Sequence, residues 1–158
     1  MALIEVQHIT KIFGPNPKAA LARVKEGMSK EDLLAQTGHT LGLDDISLSI
    51  EKGEIFVVMG LSGSGKSTLI RHFNRLIDPT DGHLLVDGTD ILGLSMRELG
   101  AFRRQRMSMV FQRFGLMPHR TVVENVAYGL EVRGLGRRDQ DARARRWIDT
   151  VGLSGFEH

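Results

Sequence analysis

Residues 60–68 decide the fold, and they read Gly60-Leu61-Ser62-Gly63-Ser64-Gly65-Lys66-Ser67-Thr68. The first eight follow the spacing G-x-x-x-x-G-K-[ST] of a phosphate-binding loop. Glycine lets the backbone turn with positive φ and approach a phosphate, so that successive N–H groups point at one anion. Lys66 adds positive charge toward the β- and γ-phosphates, and the Ser67 hydroxyl is a hard oxygen suited to Mg²⁺. The loop therefore predicts a site for a nucleoside triphosphate, which we expect to be ATP with Mg²⁺.

The segments on either side of the loop match the context that such a loop requires. The apolar run Glu54–Met59 before it predicts a strand buried on both faces. A helix is predicted from Lys66 to about Leu76, with its N-terminus and the positive end of its dipole at the phosphates. We therefore expect every loop residue from Gly60 to Thr68, except Leu61, to contribute to binding.

Composition excludes several other classes of protein. The chain has 158 residues, of which 41% are hydrophobic, so it can bury one ordinary core. It has no cysteine, which excludes a disulfide framework or a thiolate metal site. Residues 1–5 lack the basic start and long apolar run typical of a signal peptide, and no run approaches the roughly 18 apolar residues of a membrane span. A role at a membrane would need another subunit to cross it.

Hydrophobic periodicity and turn residues give the remaining elements. Further strands are predicted at 3–8, 43–50, 83–86 and 107–111. Asn16-Pro17 and Ser29-Lys30-Glu31-Asp32 each open a short helix, so residues 15–40 form a helical insert. Capping boxes at 95–98 and 121–124 begin two more helices, and a last helix runs from about 139 to 151. In the helix that begins at the capping box 121–124, we expect Val122, Val126 and Leu130 to face inward.

Five segments together give the chain a resemblance to the ATP-binding subunits of ABC transporters. They are Ile9–Gly14, Gly60–Thr68, Asn74–Gly82, Met109–Gln112 and Leu116–His119. The resemblance covers essentially the whole chain. The insert at 15–40, taken with Met59 to Thr68, is similar to the glycine betaine/proline importers that take up osmoprotectants.

The resemblance implies a fold and a domain organisation. The fold is α/β, a P-loop NTPase of the ABC type, with an antiparallel β subdomain, an incomplete parallel core sheet and the start of a helical subdomain. Residues 1–158 would form a single, truncated ATP-binding domain. Residues 112–158 would hold its glutamine loop and the beginning of the helical subdomain.

The resemblance also implies roles for particular residues and partners. Phe13 matches the aromatic residue that stacks on adenine, although the residues alone leave a strand-end phenylalanine open. Gln112 matches the glutamine that reaches Mg²⁺ and the attacking water, so Lys66 and Gln112 are the catalytic candidates. Residues 113–123 match the surface that contacts a transmembrane permease. A second ATP-binding subunit, a periplasmic or lipid-anchored solute-binding protein and a peripheral location on the cytoplasmic face of the inner membrane follow from the same resemblance.

Three features of the family are missing from the sequence. They are the signature loop, an apolar strand ending in Asp-Glu, and a later histidine. Leu84–Asp87 is followed by glycine instead of glutamate, and Leu153–Phe156 has phenylalanine where the signature has glycine. We therefore expect this chain to be the N-terminal portion of a longer protein. A binding module without turnover stays open as an alternative, as does an importer for another amino acid or choline.

The arginine clusters at 103–106 and 137–146 do not predict a nucleic-acid site. The net charge is only +2, and the chain has one Trp and one Tyr, so no stacking platform for bases is evident. Aspartates lie among the arginines of the second cluster, which is typical of an exposed helix face. Contact with a membrane subunit is the intermediate possibility.

Overall fold

The computed structural model describes residues 2–111 and 115–158. The chain divides into two compact units, of which the first ends at Ser95 and the second begins at Met96. The first unit contains a sheet, the helical insert and the phosphate loop. The second unit is helical. Whether residues 1–158 act as a single domain stays a prediction.

The first unit is built on a four-stranded antiparallel sheet with the order β2-β1-β3-β4. Its strands are β1 (Ala2–Phe13), β2 (Thr40–Glu51), β3 (Asp81–Val86) and β4 (Thr89–Asp90). The central strand β1 buries apolar side chains at Val6, Ile9 and Ile12, in keeping with its alternating sequence. The predicted strands at 3–8, 43–50 and 83–86 are confirmed, and all three are longer than expected. Asp87 and Gly88 both have positive φ, as a two-residue hairpin turn requires.

The predicted helical insert is also confirmed. It consists of α1 (Pro17–Lys25) and α2 (Lys30–Thr37). Ser29 caps α2 by accepting a hydrogen bond from the Asp32 N–H, whereas the Asn16 side chain does not cap α1. Leu33 is fully buried in a cluster with Ala20 of α1 and Ile12 of β1, which ties both helices to the sheet.

Two strand predictions are wrong for the described residues. Neither Glu54–Met59 nor 107–111, both of which were predicted as strands, forms a strand. Ile55 is 91% exposed and Met59 is 85% exposed, where burial on both faces was expected. A strand forms only when neighbouring strands pair its N–H and C=O groups, and none of the described segments pairs with these runs. The described ladders are all antiparallel.

Helix α3 (Lys66–Phe73) follows the phosphate loop and ends one turn earlier than expected. Leu69 is buried, whereas Ile70 and Leu76 are 43% and 50% exposed. The buried residues of α3 are Leu69 and His72.

The second unit contains α4 (Met96–Arg106), α5 (Val122–Val132) and α6 (Arg137–Thr150). The predicted capping box of α5 is present in both directions between Thr121 and Glu124. Ala127 is the buried residue of α5, whereas Val126 is exposed, so that part of the predicted inward face is wrong. Helix α5 packs on α6, where Ala144 and Ile148 are the buried residues, so its inward face is set by that contact and includes Ala127. No helix among the described residues is both long and apolar enough to span a bilayer.

Candidate functional site

A cavity of about 260 Å³ joins the phosphate loop to the end of strand β1. It is lined by Phe13, Lys30, residues 40–42 and residues 63–68. Of the predicted loop residues, Gly63, Ser64, Gly65, Lys66, Ser67 and Thr68 line the cavity. Gly60 and Ser62 do not line it. The structure thus brings Phe13 and most of the loop to one site, although they lie about fifty residues apart in the sequence.

Gly65 fixes how the loop meets the sheet. Its φ is +89°, and a Cβ atom there would lie 2.6 Å from the carbonyl oxygen of Gly42 in β2. Only glycine fits this backbone conformation and this close approach. Gly65 is also the N-cap of α3, and no side chain caps that helix end. The first N–H groups of α3 therefore point toward the cavity side of the loop without a side-chain acceptor, which suits an anion.

The Lys66 side chain folds back into the loop. Its ammonium donates hydrogen bonds to the Gly60 carbonyl at 2.8 Å and to the Leu61 carbonyl at 2.6 Å. These contacts tie the start of the loop to the start of α3. A lysine has three donors on a flexible stem, so the ammonium can exchange a carbonyl for a phosphate oxygen without a change in the backbone.

Phe13 offers an aromatic face at the other end of the cavity. It is the last residue of β1 and is 40% exposed. Its ring lies so close to Gly42 that a Cβ atom there would come within 2.6 Å of the ring. The Lys11 ammonium lies 5.1 Å from the ring centroid. A half-exposed ring in a cavity wall can stack on a planar base.

Lys30 is a cavity residue that the sequence analysis missed. It is the first residue of α2, and the folding of the insert places it in the cavity lining. A sequence signal did exist, since a cation in the first turn opposes the helix dipole and needs an anion nearby. Glu31 and Asp32 follow in the same turn, but neither carboxylate forms an ion pair with Lys30 among the described residues.

His72 lies beneath the loop on α3. It is 1% exposed, and its Nδ1 lies 2.7 Å from the Thr68 carbonyl oxygen, to which it donates. Nε2 is buried without a hydrogen-bond partner among the described residues. Burial lowers the pKa of His72, because a charged imidazolium would lose its hydration. The histidine is therefore a neutral packing residue that supports the first turns of α3.

Gln112 lies outside the described residues, together with Arg113 and Phe114. The described part of the predicted permease-binding segment, 115–123, is held against the start of α5 by Asn125. Its amide oxygen accepts from the Met117 N–H at 2.8 Å, and its amide nitrogen lies within 3.1 Å of the carbonyls of Met117 and Arg120. The sequence analysis gave Asn125 no role, although an asparagine directly after a capping box can anchor a loop through its side-chain amide.

The second unit has a larger, polar cavity of about 730 Å³ between α5 and α6. Arg120 pairs with Glu131 at 2.6 Å across it and lies 5.2 Å from the Tyr128 ring centroid. The hydrogen bond from Arg120 lowers the pKa of the Glu131 carboxyl. Arg145 likewise pairs with Asp141 along α6. These pairs agree with the prediction that mixed charges mark an exposed helix face, and whether nucleic acid binds there stays untested.

Comparison with known proteins identifies one family. Residues 43–158 match the family model described as ABC transporter. The glycine betaine/proline betaine transport system ATP-binding protein ProV of Salmonella typhimurium is 49% identical over 155 residues, which are 98% of this chain and 39% of that protein. The glycine betaine/carnitine transport ATP-binding protein GbuA of Listeria monocytogenes is 49% identical over 156 residues, 99% of this chain and 39% of that protein. The chain thus spans about two-fifths of the length of these curated relatives.

A solved structure supports the same fold. A dimeric ATP-binding cassette in a post-hydrolysis state, bound to ADP and Pi, superposes with a TM-score of 0.76 at 27% identity. The match covers 98% of this chain and 60% of that one. The predicted fold class and the resemblance inferred from the motifs are confirmed.

Proposed function

Because the chain belongs to the ABC transporter family, we propose that it binds ATP as the energy-coupling subunit of an importer for osmoprotectants of the glycine betaine and proline type. The observation that carries the ATP-binding part is the shared cavity between Phe13 and residues 63–68. An aromatic wall at one end and a glycine-rich helix N-terminus at the other match the two ends of a nucleotide.

Each predicted site residue has a task in this proposal. The N–H groups of the loop hold the phosphates, and Lys66 turns from the Gly60 and Leu61 carbonyls toward the β- and γ-phosphates. Phe13 stacks on adenine. Gln112, which is outside the described residues, would reach the metal and the attacking water.

The described residues of the cavity could hold Mg²⁺ only if a bound nucleotide supplied phosphate oxygens as further ligands. Within the described residues, no group of three or more His, Asp or Glu side chains could hold a metal ion. Ser67, at the first turn of α3, offers one hydroxyl oxygen on the cavity wall. Mg²⁺ commonly takes one or two protein oxygens and completes its shell with phosphate oxygens and water. The ion would neutralise phosphate charge, and Ser67 would orient it.

The osmoprotectant assignment rests on the relatives. Both ProV and GbuA align over at least 98% of this chain, so the helical insert is included in the match. The chain would work on the cytoplasmic face of the membrane with a transmembrane permease, which we place on residues 113–123. A second ATP-binding subunit would pair with it, and a solute-binding protein would deliver the substrate to the same system.

A binding module without turnover is the second candidate. Among the described residues, the lining of the cavity contains no Asp or Glu that could polarise water. Release of inorganic phosphate from Mg-ATP distinguishes the two candidates. The Lys66→Ala variant is the active-site control, and Lys52→Ala, in the exposed turn after β2, is the matched control. Phosphate release that is lost only in Lys66→Ala supports turnover, and no release from a chain that binds ATP supports the binding module.

The transport part has its own test. Deleting the gene for this chain should abolish uptake of labelled glycine betaine at high osmolarity and leave methionine uptake unchanged. Unchanged glycine betaine uptake in the deletion strain would refute the osmoprotectant assignment while leaving the ATP-binding proposal intact.

A further inference from the structure

We propose that Lys30, carried by the helical insert, is a second cation of the nucleotide site and binds the phosphate groups of ATP. This inference rests on the proposed function, because it adds a contact to the same cavity. It also gives the insert at 15–40 a task in nucleotide binding.

The position of Lys30 is the first observation. Lys30 lines the cavity of about 260 Å³ together with Phe13 and the phosphate loop. Among the described residues, Lys30 and Lys66 are the cationic side chains of that lining. The Lys66 ammonium must release a loop carbonyl before it can bind an anion. Lys30 can bind an anion without breaking any hydrogen bond to the described residues.

The electrostatic surroundings of Lys30 are the second observation. No hydrogen bond or ion pair of Lys30 occurs within residues 2–111 and 115–158. By contrast, Lys25 of the same insert pairs with Asp81 at 2.6 Å. Lys30 opens α2 beside Glu31 and Asp32, neither of which pairs with it among the described residues. An anion in the cavity would supply the partner that Lys30 lacks there.

Packing of the insert holds Lys30 in place. Leu33 lies one turn after Lys30, so the two side chains project from the same side of α2. Leu33 is 0% exposed in the cluster with Ile12 and Ala20. At the end of α2, buried His39 contacts the Pro15 carbonyl through Nε2 and Thr37 through Nδ1, which closes the base of the insert. The lysine therefore extends from a fixed helix, although its own side chain is exposed.

The test measures equilibrium binding of fluorescent ATP, with ADP and adenosine as competitors, to the full chain. Lys30→Ala should raise the dissociation constant for ATP about fivefold, the size expected for one partly exposed charge pair. Lys30→Glu should raise it further, Lys30→Arg should restore it, and adenosine binding should stay unchanged. Lys18→Ala, on the same insert but outside the cavity lining, is the matched control and should bind ATP as the wild type does.

Three results would overturn the proposal. Unchanged ATP affinity in both Lys30→Ala and Lys30→Glu would show that the cation does not meet phosphate. An equal loss of adenosine and ATP affinity would show that the substitution acts through the shape of the insert and not through charge. Wild-type chain that binds no ATP would overturn the proposed function as well, whereas the first two results leave it standing.

Discussion

At the scale of single residues, the nucleotide site depends on how closely the loop approaches strand β2. Gly65 brings the start of α3 against the Gly42 carbonyl, and Gly42 in turn leaves room for the Phe13 ring. The two ends of the cavity are therefore linked through one short stretch of β2. A side chain at Gly65 would push the loop away from the strand, and one at Gly42 would displace the Phe13 ring.

Gly65→Ala should destroy most nucleotide binding. The new Cβ would meet the Gly42 backbone at 2.6 Å, and alanine at φ +89° is strained by about 1–3 kcal/mol. We expect ATP affinity to fall at least about tenfold, as measured by titration with a fluorescent analogue. Gly53→Ala is the matched control, because its φ is +81° with no atom within 4 Å. Equal ATP affinities in the two variants would argue against a steric role for Gly65.

His72 should make the stability of the chain depend on pH. Burial lowers the pKa of His72, so the unfolded state takes up a proton near the ordinary histidine pKa of 6.5 while the folded state resists it. The stabilisation is complete above pH 6.5 and is lost as the pH falls below that value. Urea unfolding at several pH values should therefore show a steeper loss below pH 6.5 in the wild type than in His72→Leu. Parallel pH profiles for the two proteins would contradict this account.

At the scale of elements, the helical insert is tied to the sheet by few contacts. Leu33 is the fully buried side chain of α2, and it packs on Ile12 and Ala20. The neighbouring Leu34 is 54% exposed. Two leucines that are adjacent in sequence thus differ completely in exposure. Comparing substitutions at the two positions measures how much the packing of α2 on the sheet stabilises the chain.

Leu33→Ala should destabilise the chain by about 2–5 kcal/mol, because it removes a buried side chain and leaves a cavity. Leu34→Ala should cost no more than about 0.5 kcal/mol, as for other exposed positions. Urea unfolding followed by circular dichroism measures both. Similar losses in the two variants would mean that α2 does not pack on β1 through Leu33.

Features that depend on neighbouring residues could be predicted from the sequence, whereas features that depend on distant partners could not. Ser29, Thr121 and the Asp87-Gly88 turn each act through a bond or a φ value within three or four residues, so the sequence reveals them directly. The run Glu54–Met59 is different, since its state depends on ladder partners elsewhere in the chain. The place of Lys30 in the cavity also depends on distant parts of the chain, since its lining partners are Phe13, residues 40–42 and residues 63–68.

At the scale of the whole molecule, the apolar run before the phosphate loop is the main exposed hydrophobic feature of the described first unit. Ile55 and Met59 are 91% and 85% exposed, with Val57 at 65% between them. Contiguous exposed apolar side chains of this kind promote association between chains. We therefore expect this segment, which directly precedes the candidate site, to promote aggregation of the chain.

Ile55→Lys should make the chain more soluble without unfolding it. The substituted side chain is almost fully exposed, so the added charge loses little hydration. We expect less light scattering and weaker binding of an apolar dye, with an unchanged unfolding midpoint. Lys52→Arg, which keeps the charge in the preceding turn, is the control. A large drop in the midpoint would show that Ile55 is buried in solution.

The central claim is that ATP lies in the cavity between Phe13 and the phosphate loop, and a crystal structure of the chain with Mg-ATP tests it most directly. The account predicts phosphate density at the N–H groups of residues 63–68, with the Lys66 ammonium moved from the Gly60 and Leu61 carbonyls to a phosphate oxygen. It also predicts adenine stacked on the Phe13 ring. Nucleotide density away from this cavity, or phosphates at the loop with Lys66 still bound to both carbonyls, would contradict it.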